Sequence, residues 1–387
     1  MEPYATPLSD LALAETLEML KAPGCCASHR SLLLGMLRED HLLYRGRGAS
    51  ESERLRAFVL AGIVRAGHAE AAVHYAIEEL QTGMTPAGVA AAARCARLAT
   101  ARPDGIATLL SEAFWRIRSV DENVDLDHYP ALETATPTTT ACSELIFALG
   151  NVAGGREALV TIASMSTSVG GLADGEAAVL RSVLATADNF TVAQSCCART
   201  SVEDADFELP PGSLDALSNT EFENQDGERA GFRQIAQHRV ALVAFFYTRC
   251  DNPDKCSRTI SMLARARKAI EERLPDIDAV VLGITYDPDF DLPARLRRYG
   301  SDRGWRFDDR NQLLRTTGDF VSLRTAMSLG VGYGAATVNR HRLELLLIDA
   351  EGQVIEFRVR QLWDEHSIVA TLSSHFAAPR LAGTALQ

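Results

Sequence analysis

Cys250 and Cys256 are separated by DNPDK and follow the apolar run at 240–248, VALVAFFYT; a histidine, His341, stands far downstream. Two thiolates and one imidazole form a soft, low-coordinate donor set. If the chain brings them together, that set suits Cu(I) in a trigonal arrangement and can also hold Cu(II). Zinc would accept the same three donors and ask for a fourth, which water fills in a catalytic site. Thiol–disulfide exchange is the competing chemistry, with Cys250 as attacking thiolate and Cys256 as resolving thiol. Plainer readings exist for each residue: a redox pair without metal, and a histidine that merely precedes a strand.

The elements that must position these groups are legible. The run at 240–248 is continuous, β-branched and aromatic, as in a strand buried on both faces. From 257 to 274 the pattern turns helical, with Ile260, Leu263, Ile270 and Leu274 at helical spacing before Pro275. A second apolar strand at 279–285 completes a βαβ unit, right-handed by the general rule. The cysteines therefore sit in a strand-to-helix loop, where the helix dipole and the flanking Arg249 and Lys255 favour thiolate. Pro253 and the acids beside it favour a turn that brings two sulfurs to one point. Helices are expected at 292–299, 320–329 and 365–376. A hairpin with an AEGQ turn is expected from strands 343–349 and 354–359. Parallel strands first and a hairpin last is the thioredoxin order, and His341 just before strand 343–348 could reach across the sheet. Asp291 reads as a helix cap. Asp287, after the second parallel strand, reads as a group that backs a metal ligand from behind.

The segment from about 240 to 372 resembles the Sco/SenC family of copper proteins, which have a thioredoxin-like fold. The resemblance is carried by FFYTRC, the second cysteine after five residues, ITYDPDFDLPARLRRYG, GWRF, the LGVGY run and HRLELLLIDAEGQVIEFR, in that order. It implies copper binding by Cys250, Cys256 and His341. Three departures stand out: Ser257 where the family usually has proline, Leu292-Pro293 for Thr-Pro, and Arg342 where Ser or Thr usually follows the histidine. All three spare the implied ligands. Family members are usually anchored in a membrane on its oxidising side.

The first two hundred residues read as all-helical. Amphipathic alanine- and leucine-rich segments run at 51–66, 69–83, 86–99, 105–119, 139–149, 155–165 and 175–187, with DHYPALETATPTTTA as an inserted loop. Paired helices at roughly 35 to 45 residues per pair are similar in pattern to a HEAT-type solenoid. The expected organisation is a HEAT-like α-helical repeat domain at 1–198, a polar Pro-containing linker at 199–214, a Sco-like α/β thioredoxin-fold domain at 215–377 and a tail at 378–387. Of the eight cysteines, Cys25–Cys26 and Cys196–Cys197 form adjacent pairs. Adjacent cysteines rarely close on each other. A copper relay from them is weighed against burial as small apolar groups.

A net charge of −12 over 387 residues argues against nucleic acid and anionic membrane as partners. No stretch reaches the ~18 apolar residues of a membrane span. The N-terminus lacks the basic and apolar regions of a secretory signal, so a cytoplasmic location is expected. The expected function is a metallochaperone that delivers copper to a protein partner or apo-cuproenzyme docked by the helical domain. Two alternatives stand beside it: a thiol–disulfide oxidoreductase or peroxidase using Cys250 and Cys256, and a copper-dependent oxidative enzyme.

Overall fold

Small side chains dominate the N-terminal helices, and they decide how closely those helices pack. The computed structural model describes residues 6–20, 27–129, 138–166, 171–186 and 208–377, and these fall into two compact units. The helical unit contains α1 (Asp10–Glu18), α2 (Ala27–Gly35), α3 (Ala49–Arg65), α4 (Ala69–Thr82), α5 (Pro86–Leu98) and α6 (Ile106–Ile117). After the short pair β1 (Asn123–Val124) and β2 (Thr139–Thr140) come α7 (Ala141–Leu149), α8 (Gly155–Ser166) and α9 (Asp174–Thr186). In α5, Val89, Ala90, Ala91, Ala92, Ala93 and Cys95 are fully buried, and the helix packs against α3, α4 and α7. A run of alanines lets backbones approach closely while it keeps helix propensity high. Pro86 sits in the first turn of α5, where its missing N–H costs nothing.

The helical half is confirmed as helical, with α3 to α9 close to the expected spans. Helices α1 and α2 are additions to the expected set. Cys25, Cys26, Cys196, Cys197, the first part of the expected linker and the tail from 378 lie outside the described residues.

The α/β unit is built on α10 (Ser213–Ser218), β3 (Glu221–Asn224), β4 (Arg229–Gly231), α11 (Phe232–Ala236), β5 (Val240–Phe246), α12 (Arg258–Arg273) and β6 (Ala279–Thr285). It continues with α13 (Pro293–Ser301), β7 (Asn311–Thr316) and α14 (Phe320–Ala326). It closes with β10 (Glu344–Ile348), β11 (Val354–Val359) and then α15 (Glu365–Ala377), and its sheet has the order β11-β10-β5-β6-β7-β3-β4. Strands β5, β6 and β7 are parallel, whereas β10 and β11 form an antiparallel hairpin on the β5 side. Every residue of β5 and β6 is buried, which is what two covered faces require. At Gly283 in β6 a Cβ would lie 2.7 Å from Leu313 and 3.2 Å from both Ile260 and Phe246, so glycine is what lets α12 and β7 close on that strand. Helix α12 buries Ile260, Leu263, Ala266 and Ile270, pairs the buried Arg267 with Glu271, and carries the ion pair Lys268–Glu272 towards solvent.

The expected βαβ unit, terminal hairpin and closing helix are present, and the sheet order is thioredoxin-like. Three further elements leave little trace in the sequence. The hairpin β3–β4 and strand β7 are short, and polar residues such as Gln312 and Arg315 break the run in β7. The third is a two-stranded hairpin, β8 (Val331–Tyr333) and β9 (Val338–His341), pairing Val331 with His341. By its contacts the segment Gly330–Arg342 belongs to the helical unit, although the chain enters it from α14 and leaves it into β10.

Candidate metal centre

Strand β5 ends at Phe246, and the following residues turn sharply under the start of α12. Asn252, not an acid, closes the turn: its side-chain oxygen accepts the Asp254 N–H at 2.9 Å, with Pro253 in the next position. Pro253–Ser257 forms a single π-type turn that runs straight into α12. Cys250 is half-buried on the loop, whereas Cys256, inside the turn, is completely buried. The Tyr247 N–H donates to the Cys256 sulfur at 3.4 Å, and the Cys250 thiol points to the Asn252 carbonyl at 3.6 Å.

His341 ends β9, two residues before Leu343. Its Nδ1 lies 3.0 Å from the Arg342 carbonyl oxygen. A carbonyl can only accept, so Nδ1 carries the proton and the lone pair resides on Nε2. Cys250 and Cys256 belong to the α/β unit, whereas His341 lies in the segment Gly330–Arg342 that groups with the helical unit. His341 is buried, as Cys256 is.

The electrostatics differ from the expectation of a dipole-stabilised thiolate. Burial, and then the adjacent Cys250, push the Cys256 thiol well above the ordinary value, and these outweigh the Tyr247 N–H and Lys255. Arg249 is engaged elsewhere, since its guanidinium donates to Asp287 at 2.6 Å and lies 3.7 Å over the Phe290 ring. Asp287 therefore anchors the arginine next to Cys250. Asp291 does not cap a helix, since the cap of α13 is Leu292. It is completely buried and accepts from the Thr248 N–H at 3.0 Å and from the hydroxyls of Thr248 and Thr285. It ties the ends of β5 and β6 together beneath the loop. Asp–Leu–Pro matches the ordinary cap-and-proline helix start, and that match hides this use in the sequence.

Tyr247 is a further member of the site that sequence reasoning missed. Its hydroxyl bonds Cys250, and its pKa is raised, first by burial and then by the two sulfurs. Two of the three departures, Ser257 and Arg342, have local reasons. The Ser257 hydroxyl accepts from Arg303 at 3.0 Å. The stem of Arg342 lies where a side chain at Gly330 would be, 2.5 Å from a Cβ there, while the Arg342 N–H donates to the Gly330 carbonyl at 2.8 Å.

A second group of donors, Asp121, Cys142 and Glu176, also falls within 4.8 Å, in the helical unit. The Asp121 carboxylate accepts the N–H groups of Ala141 and Cys142, both at 2.9 Å, and so closes the start of α7. Burial raises the Cys142 thiol, and this group reads as a helix cap with a protonated thiol behind it.

A thioredoxin-like domain with a cysteine pair between its first parallel strand and the following helix is what the fold and site define. Residues 215–376 match the SCO1/SenC family model. Among solved structures the chain is similar to Arabidopsis thaliana ScoI with copper bound (20% identity, 41% of this chain and 96% of that one, TM-score 0.33). It is also similar to yeast Sco1 with copper bound (24% identity, 41% and 90%, TM-score 0.32). A third is a SCO1/SenC family lipoprotein from Bacillus anthracis (21% identity, 42% and 94%, TM-score 0.35). None of the curated proteins matches the chain.

Proposed function

We propose that the chain binds one copper ion through Cys250, Cys256 and His341 and passes it to a protein partner. The observation that carries this is the pair of neighbouring sulfurs, Cys250 and Cys256, held in the strand-to-helix turn, together with a buried His341 whose Nδ1 is engaged by the Arg342 carbonyl. The donor set fits the ion: soft sulfurs, a third ligand whose lone pair is directed by the Arg342 carbonyl, and a buried surround that restrains oxidation. Copper is cargo here. Cys250, the more accessible sulfur, is the ligand a recipient thiol reaches first, and Cys256 and His341 release afterwards. Burial of two of the three donors argues against an oxidative enzyme, which needs an open coordination position. Two of the structures named above, Arabidopsis thaliana ScoI and yeast Sco1, are described with copper bound, which is consistent with this reading. In the same proposal the helical unit, whether or not its helices stack in HEAT-like pairs, docks the recipient protein; Asp287 supports the site through Arg249.

Thiol–disulfide exchange has one observation in its favour: Cys250 and Cys256 are hydrogen-bonded neighbours in the α/β unit. Anaerobic Cu(I) titration against a chromophoric chelator separates the readings. Stoichiometric tight binding by the wild type, lost in the Cys250→Ser, Cys256→Ser double variant, supports the copper reading. Absent binding, together with disulfide reductase activity, replaces it with the thiol reading.

A further inference from the structure

Arg340 immediately precedes His341, and the groups that hold it come from the N-terminal part of the chain: Glu79 in α4 and Glu39 in the turn after α2. Its guanidinium pairs with Glu79 of α4 and lies 3.9 Å from Glu39. Arg56 of α3 bridges the same two carboxylates, at 3.3 Å to Glu39 and 3.4 Å to Glu79. All four residues are buried, Glu39 and Arg56 almost completely. The carboxylates that act on Arg340 (Glu79, Glu78, Glu39 and Glu53) all belong to the helical unit. An alternating cluster of two arginines and two carboxylates in a buried position has little freedom to slide, because any displacement leaves a charge unpaired.

Its neighbours in the hairpin are held as firmly. The Asn339 side-chain amide donates to the carbonyls of Tyr44 and Arg47 at 2.7 and 3.0 Å. The Gly46 N–H donates to the Tyr333 carbonyl at 3.0 Å. At Gly332 a Cβ would fall 2.2 Å from the Glu39 carbonyl, and at Gly334 one would fall 2.6 Å from that of Arg47. These glycines of the LGVGYG run therefore permit backbone-to-backbone contact with the helical unit.

We infer that Arg340, clamped by Glu79 and Glu39, is a positioning residue for His341, so that the helical unit sets the third copper ligand. The inference rests on the copper reading above and goes beyond the docking role given to that unit. It gives the N-terminal half a part in the metal chemistry although it supplies no ligand.

The test uses the full chain and a double-mutant cycle. Cu(I) affinity is measured by chelator competition for wild type, Glu79→Gln, His341→Ala and the combined variant. Loss of an outer support of a metal-bound histidine weakens binding by about 10- to 100-fold, and that range is expected for Glu79→Gln. In the His341→Ala background the same change should move affinity by less than about two-fold, because the two effects share one route. Equal losses in both backgrounds would show a general scaffold effect and overturn the inference. If circular dichroism shows that Glu79→Gln unfolds the helices, Arg340→Lys replaces it, with the same coupling required. A metal-free readout keeps the two claims apart: the His341 ring resonances should shift and broaden in the Glu79 or Arg340 variant. A wild type that binds no copper sinks the copper reading alone, whereas unchanged His341 resonances sink the positioning role.

Discussion

The Nδ1–H of His341 donates to the backbone carbonyl of Arg342, the next residue in the chain, at 3.0 Å. A hydrogen bond this local needs little beyond the hairpin's own geometry, and it decides which nitrogen meets a metal. Nitrogen-15 spectra of the metal-free protein should show neutral His341 as the Nδ1–H tautomer. His341→Ala, which removes a proposed ligand outright, should weaken copper binding by more than the about 10- to 100-fold that loss of a ligand's outer support costs, while the fold survives. A tautomer protonated at Nε2 would exclude the proposed ligand geometry.

Cys250 and Cys256 should differ in reactivity. Cys256 is 0% exposed, whereas Cys250 is half-buried. Brief alkylation of the native protein, mapped by mass spectrometry, should modify Cys250 and spare Cys256 until denaturant is added. Equal labelling would show that the turn at Pro253–Ser257 opens readily.

Stability should fall at alkaline pH partly because of Cys256. Its thiol is pushed well above 9.0 by burial. The native state therefore keeps a proton that the unfolded chain releases near that pH. Stability is fully present below it and is lost as pH rises through the window above it. In Cys256→Ala, urea midpoints should decline less steeply above about pH 9 than in wild type; parallel declines would assign the effect to other groups.

Asp291→Ala should cost about 2–4 kcal/mol, since it strands the part-buried N–H and hydroxyl of Thr248 and the buried hydroxyl of Thr285. Urea denaturation measures this. A loss near zero would mean that water replaces the carboxylate without penalty.

Gly332→Ala should destabilise the chain by at least about 1–3 kcal/mol, the usual cost of overpacking, since the clash is with the Glu39 backbone. Gly175→Ala, in α9 with nothing within 4 Å of its Cβ, serves as the control and should be neutral or stabilising by under about 1 kcal/mol. Similar melting temperatures for the two variants would show that the hairpin is not held against the helical unit as described.

Much of the α/β unit is legible from the chain alone because its central elements are fully buried. Two covered faces demand an unbroken apolar run, and Val240–Phe246 and Ala279–Thr285 supply one each. The cysteine spacing and the lone histidine are legible for a different reason: few residue types bind soft metals. Strands such as β3, β4 and β7 leave weaker traces because they are short or partly polar, and periodicity needs length to register.

What no linear reading reaches is where residues 330–342 belong. By order along the chain they are part of the α/β domain, and in sequence the motif LGVGY signals family character only. Tertiary structure places them in the helical unit, through charges more than 250 positions apart in sequence, Arg340 with Glu79. Asp291 is likewise turned from an expected helix cap into a buried tie between two strand ends. Local patterns follow from side-chain size, polarity and period, all of which the sequence carries. The partner of a buried charge depends on which distant carboxylate the packing delivers, and only the assembled fold decides that.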